Sequence, residues 1–137
     1  MNTRVTRRLS LEHRIRDALD SGDLSLVYQP IVETKSQRII AVEALVRWAR
    51  SGDDLVSPGA FIPVAEDTGL IVPIGEWVLR TACQQTRAWH DAGHRALVVS
   101  VNLSPRQFHC ADLVSLVAAV LTETGLEIAT TAVSQYD

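Results

Sequence analysis

Cysteine is scarce in this 137-residue chain, with Cys83 and Cys110 its two examples. They show neither the close spacing nor the histidine companions of a zinc site. They are also too few for a disulfide framework, so a reducing cytosol is the expected compartment. The four histidines, His13, His90, His94 and His109, stand at no ligand interval and read as surface or packing groups. Charge of one sign is missing too: 16 acids against 13 bases leave a net −3. That balance argues against a nucleic-acid polymer as ligand, because such proteins usually carry a basic stripe. No apolar run approaches the roughly 20 residues of a membrane span. The early arginines are followed by no apolar stretch, so they do not form a signal peptide. Internal repeats and low-complexity stretches are absent.

What is present suits a globular chain of one-domain size, 47% hydrophobic and 21% charged. Arg4, Arg7, Arg8, Arg14 and Arg16 crowd the opening. They read as a solvated helix face or linker, or else as a partner-binding arm. Leu9, Ile15 and Leu19 recur at near-helical spacing, which predicts a helix over 8–20 closed by Gly22. Residues 24–32 alternate and are rich in β-formers, so they predict a strand. A polar turn at 34–37 joins it to a second strand over 38–48, making a hairpin. After a loop over 49–58, Ser57-Pro58 can start a short helix that runs to about Asp67 and ends at Gly69.

A long helix follows over 70–92, with Ile71, Ile74, Val78, Leu79, Ala82, Trp77 and Trp89 on its apolar face. Residues 97–103 are almost purely apolar, which predicts a strand buried on both faces. Ser104-Pro105 begins another helical turn, and Leu113 to Leu121 continues as an amphipathic helix ended by Gly125. After the hairpin, strands alternate with helices, an α/β pattern with parallel strands.

Two polar residues interrupt apolar strands. Glu43 lies between Val42 and Ala44, and a buried carboxylate is costly unless it is paired or holds a metal. On an alternating strand Glu43, Leu45 and Arg47 share one face. A Glu43–Arg47 ion pair, or a face open to water, is one reading. A metal ligand with Arg47 beside it for a phosphate is the other, since hard divalent cations prefer carboxylate and amide oxygens. Asn102 ends the apolar strand, where it could bond the next turn or serve a ligand, as strand ends do in α/β barrels. Gln29, just before Pro30, could hydrogen-bond a base or a water. Glu66 reads as a surface acid at a helix end.

Five ordered blocks then carry a resemblance: 26–32 (LVYQPIV), 43–48 (EALVRW), 58–66 (PGAFIPVAE), 74–79 (IGEWVL) and 101–108 (VNLSPRQF). In order and spacing they are similar to the EAL domain family, over about residues 9–126. The arginine-rich opening also resembles the stretch that joins a GGDEF domain to an EAL domain. The resemblance implies an α/β fold, part of a (β/α)8-type barrel with an antiparallel first strand. It would hold about the first three strands and their helices. It implies a linker or opening helix over 1–22, the N-terminal half of an EAL domain over 23–126, and a divergent tail over 127–137.

The family hydrolyses cyclic di-GMP to pGpG with two Mg2+ or Mn2+ ions. The resemblance therefore makes Glu43 and Asn102 metal ligands, Arg47 a phosphate contact, and Gln29 and Leu45 substrate contacts. Counted without gaps, the family's next metal-binding glutamate falls at Ser134 and a second acid at Asp137. The later aspartates, lysine, glutamate and glutamine of the family are not in this sequence. The catalytic set is thus incomplete, and the chain is expected to be a truncated EAL domain that does not hydrolyse by itself. The alternative is a non-catalytic module that binds cyclic di-GMP, associates with itself, or docks on a full-length relative.

Overall fold

The computed structural model describes residues 3–49, 55–109, 112–126 and 131–135. Helix α1 (Thr3–Ser21) leads into strand β1 (Leu24–Val32), which turns back as β2 (Ile39–Ala49). The hairpin is antiparallel from Leu24 opposite Trp48 to Val32 opposite Ile39, with a register shift at Ile31/Val32. Pro30 is tolerated in β1 because that strand lies at the sheet edge, where a missing N–H costs no ladder bond. A short β3 (Leu55–Val56) pairs with the end of β2.

Helices α2 (Pro58–Thr68) and α3 (Ile71–Asp91) then carry the chain across to β4 (Val98–Leu103), which is parallel to β2. After α4 (Pro105–His109) and α5 (Leu113–Thr124), β5 (Thr131–Gln135) lies parallel to β4. The sheet order is β1-β2-β4-β5, with β3 on β2. One antiparallel strand followed by parallel ones is the expected arrangement.

Burial alternates along β2. Val42, Ala44, Val46 and Trp48 are buried, while Glu43, Leu45 and Arg47 are half-buried. The buried set meets Phe61, Ile62 and Ala65 of α2 and Ile74, Val78 and Ala82 of α3 in one core. Trp48 and Phe61 pack edge to face with ring centres 5.7 Å apart, a geometry that suits the aromatic quadrupole. Trp89, also predicted to pack, is half-buried and meets Tyr28 edge-on at 4.9 Å.

Three details differ from expectation. In α1 the buried positions are Ile15 and Ala18, whereas Leu9 is 54% exposed. Leu19 is partly buried against the core, so of the three spaced residues Leu9 alone is exposed. In β4, Val99, Val101 and Leu103 are buried but Val98, Ser100 and Asn102 are half-buried. The strand is therefore covered on one face rather than two, because the helices described all pack on one side. The region expected to diverge, 127–137, contributes β5, whose backbone pairing requires no particular side chains. Cys83 is a thiol buried in the core, and Cys110 lies outside the described residues.

Helix ends follow their local chemistry. Ser57 Oγ accepts from Gly59 N at 3.2 Å, with Pro58 in the first helical position. Replacing Ser57 with alanine should lower stability by about 1 kcal/mol, the usual cost of an N-cap; chemical denaturation of the two forms checks it. Arg80 bridges α3 to α5 through Glu123 at 3.0 Å while also holding Glu76 at 3.0 Å. The bond from Arg80 keeps the Glu123 carboxyl below the usual carboxylate range. That tie is fully present above the ordinary carboxylate value and is lost as pH falls through the lowered one. Among the described residues no helix is long and apolar enough to cross a membrane.

Candidate functional site

The half-buried face of β2 and β4 lies opposite the helices. Glu43 stands between Gln29 of β1 on one side and Ser100 of β4 on the other. Asn102 is two residues beyond Ser100 and therefore on the same face. Its Nδ2 donates to Glu43 Oε1 at 3.0 Å. The two polar residues that interrupt apolar strands thus meet each other. Leu45 lies opposite Val27, and Arg47 opposite Ser25. All five residues singled out from the sequence, Gln29, Glu43, Leu45, Arg47 and Asn102, belong to this face.

Arg47 does not close on Glu43. Its Nη1 donates to the Val46 carbonyl at 2.9 Å, and among the described residues no ion pair joins it to Glu43. The ion-pair reading of Glu43 is therefore replaced by an amide–carboxylate bond across strands. The bond engages one oxygen of Glu43 and the amide nitrogen of Asn102. Glu43 and Asn102 are of the carboxylate and amide types whose oxygens suit a hard cation. Register also places Ser134 of β5 directly beside Asn102.

The turn after Asn102 is closed by its own residues. Ser104 and Gln107 do this as a capping box: Ser104 N donates to Gln107 Oε1 at 2.9 Å, and Ser104 Oγ accepts from Arg106 N at 3.2 Å. Both side chains are buried. The Ser-x-x-Gln spacing is the sequence signal for this box, and it extends the Ser104-Pro105 helix start by two residues. Arg106 reaches the backbone carbonyl of Glu66 at the end of α2 and lies against Gly69. Cations are favoured at a helix C-terminus, where carbonyls lack partners. The element that follows the Asn102 strand is thereby pinned to the end of α2. Glu66 is half-buried and contributes this carbonyl. Of the histidines, His13 and His94 are exposed and His90 Nε2 bonds the Leu97 carbonyl at 2.7 Å. The side chain of His109 lies outside the described residues.

Comparison with known proteins gives this face its context. A model of the EAL domain matches residues 12–133. The chain belongs to the EAL domain family. Among its relatives, the bifunctional diguanylate cyclase/cyclic di-GMP phosphodiesterase MucR of Pseudomonas aeruginosa is 47% identical over 127 residues, covering 93% of this chain and 18% of MucR. The cyclic di-GMP phosphodiesterase NbdA of the same organism is 40% identical over 123 residues, covering 90% of this chain and 16% of NbdA.

Two solved structures share the architecture. The PaMucR phosphodiesterase in complex with c-di-GMP aligns with a TM-score of 0.87 at 46% identity, over 90% of this chain and 50% of that one. The FimX EAL domain of Xanthomonas citri with c-diGMP aligns at 0.82 and 25% identity, over 98% and 51%. This chain thus spans about half the length of these two solved chains. It is an α/β partial barrel of the EAL type, and the family match runs on past residue 126 to residue 133.

Proposed function

We propose that the Glu43–Asn102 face is the opening part of a cyclic di-GMP phosphodiesterase site, insufficient for hydrolysis by itself. The observation that carries this reading is the 3.0 Å bond from Asn102 to Glu43, which fixes two oxygen-bearing side chains on adjacent strands. Glu43 and Asn102 would hold Mg2+ or Mn2+. Gln29 and Leu45 would contact the dinucleotide. Arg47 would exchange the Val46 carbonyl for a phosphate oxygen, a stronger charge-assisted bond. When bound, the ions supply an activated water and neutralise phosphate charge. The proposal places this chemistry in the cytosol.

Among the described residues the donor set is too small for two ions. Glu43 is the one carboxylate among positions 43, 102 and 134. Among the described residues no group of three His, Cys, Asp or Glu could share a metal ion. Two-metal hydrolysis needs ions held on both sides of the phosphate, and a divalent ion takes about six oxygens in all. A second reading, a non-catalytic module that binds the nucleotide or a further copy of the chain, draws on Val27 and Ile31. They lie on the β1 face that includes Gln29 and are 44% and 42% exposed.

Calorimetric titration with cyclic di-GMP in Mn2+, alongside an assay for pGpG, separates these readings. Weak binding that Glu43→Ala reduces by about tenfold or more, without turnover, is the expected result. Turnover lost in Glu43→Ala would refute the non-catalytic part. Binding unchanged by Glu43→Ala would refute the placement of the site.

A further inference from the structure

On the helix-packed side of the sheet, away from the Glu43–Asn102 face, a cavity of about 600 Å3 opens where β2 and β4 begin. That volume falls inside the range of roughly 300–1,000 Å3 typical of small-molecule sites. Its floor is apolar, with Val42, Trp89 and Leu97 joined by Ile39 and Ile40. Ile39 and Ile40 are 56% and 44% exposed, an unusual outlay of apolar surface beside a cavity. Its rim is cationic. Arg38 enters from the hairpin, Arg95 from the loop between α3 and β4, and His94 joins them in the lining. Among the described residues no acidic side chain lines it.

We infer that this pocket binds a small amphipathic carboxylate, its apolar body on Trp89, Leu97 and Ile40 and its carboxylate at Arg38 and Arg95. Three negative features stand near this region and none outweighs the arginines: Glu33, whose backbone pairs with Arg38 but which is not among the lining residues, the end of α3, and Asp91. The C-terminal end of α3 has a partial charge of roughly half a unit, and its last carbonyls already accept from the backbone N–H groups of Ala92, Gly93 and His94. Asp91 is engaged by Arg87 at 3.1 Å. Two guanidinium groups over an apolar floor therefore leave a net positive rim. A neutral or cationic ligand would use the floor and forfeit the rim.

Octanoate is a suitable probe, followed by amide and indole shifts in the isotope-labelled chain. Shifts should gather at residues 38–42 and 93–97 and at the Trp89 indole N–H. Octanol should bind about tenfold more weakly, as should octanoate to an Arg38→Glu/Arg95→Glu variant, with Arg95→Gln intermediate. These positions are exposed, and spectral dispersion verifies that each variant stays folded. Shifts centred on Val27, Ile31 and Leu45 would place the ligand on the open sheet face and overturn the inference. So would equal affinity for octanol and octanoate, an unaltered double variant, or no binding. None of these outcomes touches the Glu43–Asn102 proposal, which is read from nucleotide and Mn2+ binding.

Discussion

Gly75→Ala should destabilise the chain by about 2–3 kcal/mol, although alanine is the better helix former. Gly75 is a buried residue inside α3, where replacing glycine with alanine ordinarily gains about 1 kcal/mol. The sign is decided by Gln107. A Cβ at position 75 would stand 1.6 Å from Gln107 Nε2, 2.5 Å from Cδ and 2.8 Å from Oε1. The whole amide lies on the glycine. Nor can it swing aside at little cost. Gln107 is 3% exposed and its Oε1 accepts from Ser104 N at 2.9 Å. Losing that acceptor strands a buried N–H, which costs about 1–3 kcal/mol.

The two effects share one contact, so they should not add. Gln107→Ala alone should cost about 1–3 kcal/mol through the unpaired Ser104 N–H. Adding Gly75→Ala to it should cost little further, or recover part of the loss through helix propensity. Urea denaturation of the four forms, with equal m-values, measures the coupling. A Gly75→Ala protein as stable as the parent would show that Gln107 relocates freely. The same contact bears on the site, since the Ser104–Gln107 box begins two residues after Asn102.

The elements were legible because each one carries its own local chemistry. Ser57-Pro58 starts α2, and Gly69 and Gly125 end α2 and α5 in the left-handed conformation at φ 83° and 75°. Alternation and β-forming residues over 24–32, with the polar turn at 34–37 before a second strand over 38–48, pointed to the hairpin. The polarity of Glu43 and Asn102 within apolar strands identified the candidate site. Its pairing was less legible. Arg47 shares a face with Glu43, but four residues along a strand span about 13 Å, whereas neighbouring strands lie about 4.8 Å apart. The partner therefore had to come from another strand, 59 residues away in sequence, and no local signal specifies that distance.

The contact between Gly75 and Gln107 likewise has no local signal in the sequence. A glycine in a helix looks like a weak point until the residue lying on it is known. Strand β5 was not legible because its five residues, TAVSQ, are too few for a pattern to separate a strand from a loop.

Register makes one last expectation specific. Introducing glutamate at position 134 should tighten Mn2+ binding by about tenfold or more, because carboxylate count strongly sets affinity for hard cations. Ser134 pairs with Asn102 and Asn102 bonds Glu43. The substitution would bring a second carboxylate to the strand beside Asn102, within about 5 Å in the pairing direction. Without metal, glutamate is a poorer strand residue, so the variant should be slightly less stable than the parent.

With metal the order reverses. A tenfold tighter site contributes about 1.4 kcal/mol more at saturating Mn2+. Thermal melts with and without Mn2+ therefore give opposite signs for the same substitution, and a nonspecific loss of packing cannot produce that crossover. Glu43→Ala in the variant background should remove the crossover. Equal Mn2+ responses in parent and variant would mean that position 134 does not reach the Glu43–Asn102 oxygens. Hydrolysis of cyclic di-GMP should still be absent, because one better-held ion does not make the pair that clamps both oxygens of the displacement. Turnover in the single variant would show that Glu43, Asn102 and one added carboxylate suffice.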